Sequence, residues 1–139
     1  MKSLKCLSGC NRYNTSMKIG TDIIQISRIE KSLAQFGDKF TQRFLHPGEI
    51  KLVQKTASIA GFWAAKEAIA KALGCGIGKE LSFHDILLDK DGRGRPTFTL
   101  KEEAQKRHRI KDSSLSISHD GGFAIAVVAL TCERSEQEV

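Results

Sequence analysis

An α+β fold, with a small antiparallel sheet packed on one long central helix, is predicted by three stretches of the chain: an alanine-rich run in the middle, an alternating β-branched run near the start and a hairpin at the end. With 139 residues, 40% of them hydrophobic, the chain is long enough for one core and short for two. Residues 17–132 are therefore expected to form a single domain, residues 1–16 a disordered leader and residues 133–139 a charged tail. The net charge is +6, but Lys2, Lys5 and Arg12 supply half of it, and the remaining +3 fits a phosphate ligand or an acidic protein partner as well as nucleic acid.

The middle stretch, Thr56 to Gly78, reads as a helix from about Ala57 to Leu73, with Thr56 as its cap and Gly74 in the left-handed conformation that closes it. At about 100° per residue, Ile59, Phe62, Trp63, Ile69 and Leu73 form one bulky face. Ala60, Ala64, Glu67 and Lys71 share the opposite stripe. A helix apolar nearly all round is usually buried, so Glu67 and Lys71 are either an ordinary i,i+4 ion pair on a solvated edge or part of a site. The short alanines favour a site, because they leave a groove for a slender ligand; close helix packing would use the same alanines. Lys66 projects into the bulky face, and the expected explanation is an apolar stem with its amine snorkelling to water.

In chain order, the leader is polar and aperiodic, and Met17 looks like a second start. Lys18 to Ile26 reads as a strand interrupted by Gly20 and Asp22, and an acidic residue in such a run is either a turn former or a ligand. Ser27 to Glu30 is a capping box, followed by a short helix burying Ile29, Leu33 and Phe36 and ending at Gly37. Asp38 caps a second helix that buries Phe40 and Phe44, and Pro47 opens a third through Lys55. Arg28, Lys31, Lys39 and Arg43 are expected to face water. Ser82 to Leu88 and Thr97 to Leu100 are strands joined by a turn in which Asp89 and Asp91 serve turn chemistry rather than calcium, since the glycine comes too early for an EF-hand loop. Lys101 to Arg109 is a solvated basic helix. Leu115 to His119, Asp120-Gly121-Gly122 and Phe123 to Leu130 make the closing hairpin, whose second strand is expected to be covered on both faces.

Cys6, Cys10, Cys75 and Cys132 show no zinc-ligand pairing, which makes a reduced cytoplasm the default. Leu7 to Cys10 looks like a lipoprotein cleavage site but lacks a preceding apolar run, and no segment reaches the roughly 20 apolar residues that cross a bilayer.

Three polar elements interrupt this apolar plan: Asp22, the Glu67/Lys71 stripe and His119 at a strand end. Two carboxylates from different segments can hold one Mg²⁺, with Lys71 steadying phosphates, which is the equipment of transfer at phosphorus. A serine hydrolase is disfavoured, because Ser118 and His119 point to opposite faces and no Gly-x-Ser-x-Gly elbow is present. His119 alone reads more readily as structural than as a ligand contact. Gly74 to Lys79 follows a helix and lacks P-loop spacing, so it reads as a helix cap with a tight turn, with the backbone around Gly76 as the part able to meet a ligand.

Gly20-Thr21-Asp22, Phe62 to Lys71 followed by Gly74 to Gly78, Ser82 to Ile86 and Ser116 to His119 together resemble the holo-acyl-carrier-protein synthases, the short single-domain phosphopantetheinyl transferases. The resemblance runs from Met17 to about Leu130. It implies an enzyme of fatty acid biosynthesis that moves 4′-phosphopantetheine from coenzyme A to a serine of apo acyl carrier protein and releases adenosine 3′,5′-bisphosphate. By the same resemblance Asp22 and Glu67 are Mg²⁺ ligands, Lys71 contacts the pyrophosphate and His119 lies near the coenzyme A phosphates. The family is typically a homotrimer with coenzyme A between subunits. Outward Arg28 and Arg43 are then candidates for docking the acidic carrier protein.

Two departures stand out. Many members carry Arg where this chain has Phe62, leaving Lys51 or Lys55 to supply the missing phosphate contact. The leader before Met17 has no counterpart in the family's usual start, which points to an upstream start or a cloning remnant. The rival reading is a small nucleic-acid-binding module built on Arg93, Arg95 and the Lys101 to Lys111 segment, which offers no aromatic stacking platform there.

Overall fold

The structure is a computed structural model and describes residues 15–134. The expected leader and tail lie largely outside these residues. Two positions of the leader, Thr15 and Ser16, and Glu133 of the tail belong instead to strands. Strand β1 (Thr15–Gln25) pairs antiparallel with β5 (Phe123–Glu133), which pairs antiparallel with β4 (Ile110–Asp120). This three-stranded sheet is accompanied by a two-stranded hairpin of β2 (Ile86–Lys90) and β3 (Pro96–Leu100). The architecture is α+β, as expected, but divided over two sheets.

Four helices precede the hairpin: α1 (Ile26–Phe36), α2 (Asp38–Phe44), α3 (Pro47–Ile50) and α4 (Thr56–Ala72); α5 (Glu102–His108) follows it. Several boundaries differ from expectation, and at one of them a tertiary contact replaces a local cap. Helix α1 begins one residue before Ser27 with no side-chain cap, and the Ile26 N–H donates instead to Gly122 O at 2.9 Å, in the turn of the closing hairpin. Thr56 is likewise the first helical residue of α4 rather than its cap. Helix α3 stops at Ile50, well short of Lys55, and Phe83–Asp85 forms a 3₁₀ turn where a strand was expected. Phe36 is 49% exposed and so takes no part in the buried stripe of α1. Arg28, Lys31, Lys39 and Arg43 are exposed.

The central helix is buried nearly all round, and its small face lies on the three-stranded sheet. Ala60, Ala64 and Ala68 are wholly buried, so close packing, not a ligand groove, accounts for the alanines. Glycine permits this approach at two points. A Cβ on Gly20 would fall 2.0 Å from the Ala68 carbonyl oxygen, and one on Gly61 would fall 2.8 Å from Ile117 Cγ2. Helix α4 therefore crosses from β4 at Gly61 to β1 at Ala68. Because the obstacle at Gly20 is backbone, Gly20→Ala should destabilise by roughly 1–3 kcal/mol or more, the cost of overpacking a tight core, read as a lowered urea midpoint.

Strand β5 is covered on one face only. Phe123, Ile125 and Val127 are 41%, 38% and 43% exposed, and Met17, Ile19 and Ile23 of β1 join them on the outer face. The continuous apolar run does fit a strand with two apolar faces, but a single chain covers only the inner one.

Candidate functional site

Asp22 lies on the inner face of β1, the face that carries Gly20 and Ile24 toward α4. Because Gly20 lets the helix approach so closely, Asp22 meets the last turns of α4. Lys71 Nζ donates to Asp22 Oδ1 at 2.9 Å and to Thr21 O at 3.2 Å. Glu67, one turn earlier on the same stripe, makes no hydrogen bond or ion pair among the described residues. The Glu67–Lys71 ion pair, one of the two readings of this stripe, does not form; Lys71 pairs with Asp22 instead. Burial, then the nearby Asp22 carboxylate, raises the Glu67 pKa, with Lys71 acting in the opposite direction. The three residues form a cluster of two carboxylates and one ammonium, with one carboxylate half-buried and unpaired.

His119 does not join them within one chain. Asp22, Ala126 and Ile117 form one cross-strand row, and Ile24, Ala124 and His119 another. Strand β5 therefore separates β1 from β4, placing Asp22 and His119 about 10 Å apart across the strands, with Asp22 beside the C-terminal turns of α4 and His119 beside its N-terminal half. His119 instead lines a shallow cavity with Ser58, Phe62, Lys90 and Pro96. Lys90 Nζ sits 5.9 Å from the Phe62 ring centroid and donates to Leu52 O at 3.2 Å. The cation beside Phe62 is therefore Lys90; Lys51 and Lys55, expected in that role, do not line this cavity.

Gly76 follows α4 with φ +64°, and its N–H donates to Ala70 O at 3.1 Å; the N–H groups of Gly74 and Cys75 are likewise taken, by Lys71 O and Ala70 O. A ligand would therefore meet the bare Cα side of this turn rather than free donors. At Asp91 the turn reading holds: the carboxylate accepts from the Arg93 and Arg95 backbone N–H groups, which lower its pKa.

The sequence reading missed a buried ion pair. Lys66 does not snorkel: its ammonium is fully buried, 2.9 Å from Glu49 Oε1, and donates also to Phe44 O at 2.7 Å and Phe83 O at 3.1 Å. Glu49 in turn accepts from His46 N at 2.7 Å and Leu88 N at 2.8 Å. The signal was the awkward placement of Lys66 on the bulky face, which required a partner that periodicity could not name.

Two carboxylates and an ammonium thus meet at a strand–helix junction of an α+β fold, and comparison with known proteins supplies the family. A model of the 4′-phosphopantetheinyl transferase superfamily matches residues 18–128, and the chain belongs to that superfamily. Its relatives are more specific. A holo-[acyl-carrier-protein] synthase from Sulfurovum is 61% identical over 117 residues, covering 84% of this chain and 98% of the relative. A crystal structure of Helicobacter pylori holo-[acyl-carrier-protein] synthase in complex with coenzyme A is 54% identical, with a TM-score of 0.79 over 81% of this chain and 98% of that one. The Neisseria meningitidis synthase structure, at 34% identity, gives a TM-score of 0.73 over 81% and 96%.

Proposed function

We infer that this protein transfers 4′-phosphopantetheine from coenzyme A to a serine of apo acyl carrier protein, in the service of fatty acid biosynthesis. The observation that carries the reading is the convergence of Asp22 from β1 with Glu67 and Lys71 from α4. The serine oxygen loses its proton to solvent and forms the new bond to phosphorus, the pyrophosphate P–O bond breaks, and adenosine 3′,5′-bisphosphate leaves with the electron pair of that bond. Because the partner brings the nucleophile, the lack of a serine elbow is expected. Mixing the protein with coenzyme A, Mg²⁺ and apo carrier protein should add the mass of one phosphopantetheine group; an unmodified carrier would refute the reading.

Asp22 and Glu67 are assigned as Mg²⁺ ligands. The fit rests on chemistry: two oxygen donors, one unpaired and held at a raised pKa by burial and by the other, call for a hard cation between them. Bound there, the ion would neutralise charge on the phosphates. Lys71, half-exposed, is free to leave Asp22 for the pyrophosphate. Lys90 and His119 are assigned to the remaining coenzyme A phosphate, with Lys90 standing in where many relatives have Arg at the Phe62 position, and Gly76 to backbone approach.

Because Asp22 and His119 are apart in one chain, a site using both is best completed by a second copy. A homotrimer would cover the outer faces of β1 and β5, where Ile23 and Ile125 are cross-strand neighbours. Sedimentation equilibrium should return three times the chain mass, and Ile125→Glu should reduce it. The reaction is assigned to the cytoplasm, a reducing compartment in which free thiols such as those of Cys75 and Cys132 persist. The nucleic-acid alternative is weakened by internal pairing of part of its basic set, since Arg95 binds Asp91 and Lys106 lies against Glu102 and Glu103.

Exposed Arg28 and Arg43, on two neighbouring helices, are assigned to carrier-protein docking. Changing both to Glu should raise the apparent KM for carrier protein roughly tenfold or more, through lost steering and added repulsion, with coenzyme A affinity nearly unchanged. Equal damage to both substrates would remove the assignment.

A further inference from the structure

One cluster of ligating side chains among the described residues lies outside the Asp22/Glu67/Lys71 group and is not among the residues assigned to the transfer. Cys75 in the turn after α4, Glu80 further along the same loop and His108 at the end of α5 bring a sulfur, an oxygen and a nitrogen within 4.8 Å of one another. The loop is fastened to α5 independently, since the Arg107 guanidinium donates to the Glu80 carbonyl. The His108 side chain is only 7% exposed, and its Nε2 is buried with no hydrogen-bond partner. An orphaned ring nitrogen carries its full desolvation cost, so its position asks for a ligand.

Glu80 Oε2 lies 3.4 Å from His108 Nε2 without making a hydrogen bond. That separation matches the nitrogen–oxygen edge of a tetrahedron built with metal bonds of about 2.0–2.1 Å. Cys75 Sγ makes a long contact of 3.8 Å to Ala70 O and interacts with the Glu80 carboxylate beside it. We propose that Cys75, Glu80 and His108 form a binding site for a divalent transition metal of the zinc class, with the fourth position left to water.

The donor set selects the ion. Sulfur and imidazole suit zinc-class metals, whereas Mg²⁺ takes oxygen, so this site and the Asp22/Glu67 pair would not compete for one ion. Thiolate and carboxylate together balance the ion's two charges, and the thiol proton leaves to solvent on binding. Arg107 and Lys18, the nearby cations, then face a neutral assembly. Binding would tie the loop that follows Lys71 to α5.

The test uses the full-length, metal-stripped protein and Co²⁺ as the probe, followed by Zn²⁺ as competitor. One equivalent of Co²⁺ should produce a thiolate-to-cobalt charge-transfer band that Zn²⁺ removes and excess Mg²⁺ does not. Cys75→Ser should abolish the band, and Glu80→Gln should weaken Co²⁺ binding about tenfold or more. A variant with Cys6, Cys10 and Cys132 all changed to Ser should keep it. Absence of the band, its survival in Cys75→Ser, or its loss in the triple variant would overturn the proposal. Should Cys75→Ser fold poorly, the exposed Glu80→Gln variant decides, and unchanged affinity there counts against the site. None of these readouts depends on transferase activity.

Discussion

Lys66→Met is expected to destabilise the protein by about 3–5 kcal/mol, read as a lowered urea midpoint with an unchanged slope, because it leaves the Glu49 carboxylate buried without its ion partner. Glu49→Gln should cost a comparable amount, since it strands the ammonium instead. The pair joins the end of α2, helix α3, helix α4, the 3₁₀ turn and β2 through one set of charge-assisted hydrogen bonds. Replacing both residues by apolar ones should recover only part of the loss, because the His46 and Leu88 N–H groups would remain without acceptors.

The pH dependence of that variant has a definite sign. Burial lowers the Lys66 pKa below its usual value, and Glu49 works against the shift. Between the folded and the ordinary pKa the unfolded chain binds more protons, so the Lys66 contribution raises stability as pH climbs through that window. Removing the Glu49 charge lowers the folded pKa further and widens it. Glu49→Gln should therefore regain stability toward alkaline pH more than the parent does; parallel curves would show that Lys66 is not the titrating group.

How much of this was legible in the sequence depends on how local each signal is. The central helix and the closing hairpin follow from periodicity and turn residues, and Gly121 and Gly122 do take positive φ, +58° and +85°; the alanine stripe favoured a ligand groove in the sequence, and its close packing depends on Gly20 and Gly61, distant in the chain or silent in periodicity. Caps were less legible, because a tertiary donor–acceptor pair such as Ile26 N to Gly122 O can replace a side-chain cap without leaving a trace near Ser27. Asp22, Glu67 and Lys71 were singled out as polar interruptions, yet which carboxylate the lysine would choose depended on Gly20 admitting the helix. Glu49 and Lys90 were invisible for the same reason: each matters through a partner distant in the chain. The apolar outer face of β5 was read as covered because sequence cannot distinguish cover by the same chain from cover by another.

Asp22→Asn and Glu67→Gln should each reduce Mg²⁺-dependent turnover by roughly 100-fold or more, since each keeps shape while removing a charge assigned to the ion, and metal-borne charge stabilisation is worth several kcal/mol. Their effects on stability should differ from those on activity. The raised Glu67 pKa means that the folded chain holds its proton more tightly than the unfolded chain, so Glu67 contributes stability that falls as pH rises from the ordinary carboxylate range through the folded pKa. At neutral pH without metal, Glu67→Gln escapes that loss and should melt higher than the parent. Asp22→Asn removes a carboxylate that disfavours ionised Glu67 but also loses the Lys71 pair, whose lysine is 52% exposed and whose contribution is about 0–1 kcal/mol, so its stability should change little. Mg²⁺ should then raise the melting temperature of the parent, more so with coenzyme A present, and leave both variants nearly unmoved. Near-normal Mg²⁺-dependent turnover in either variant would remove the metal assignment and leave Asp22–Lys71 as an ion pair of the fold.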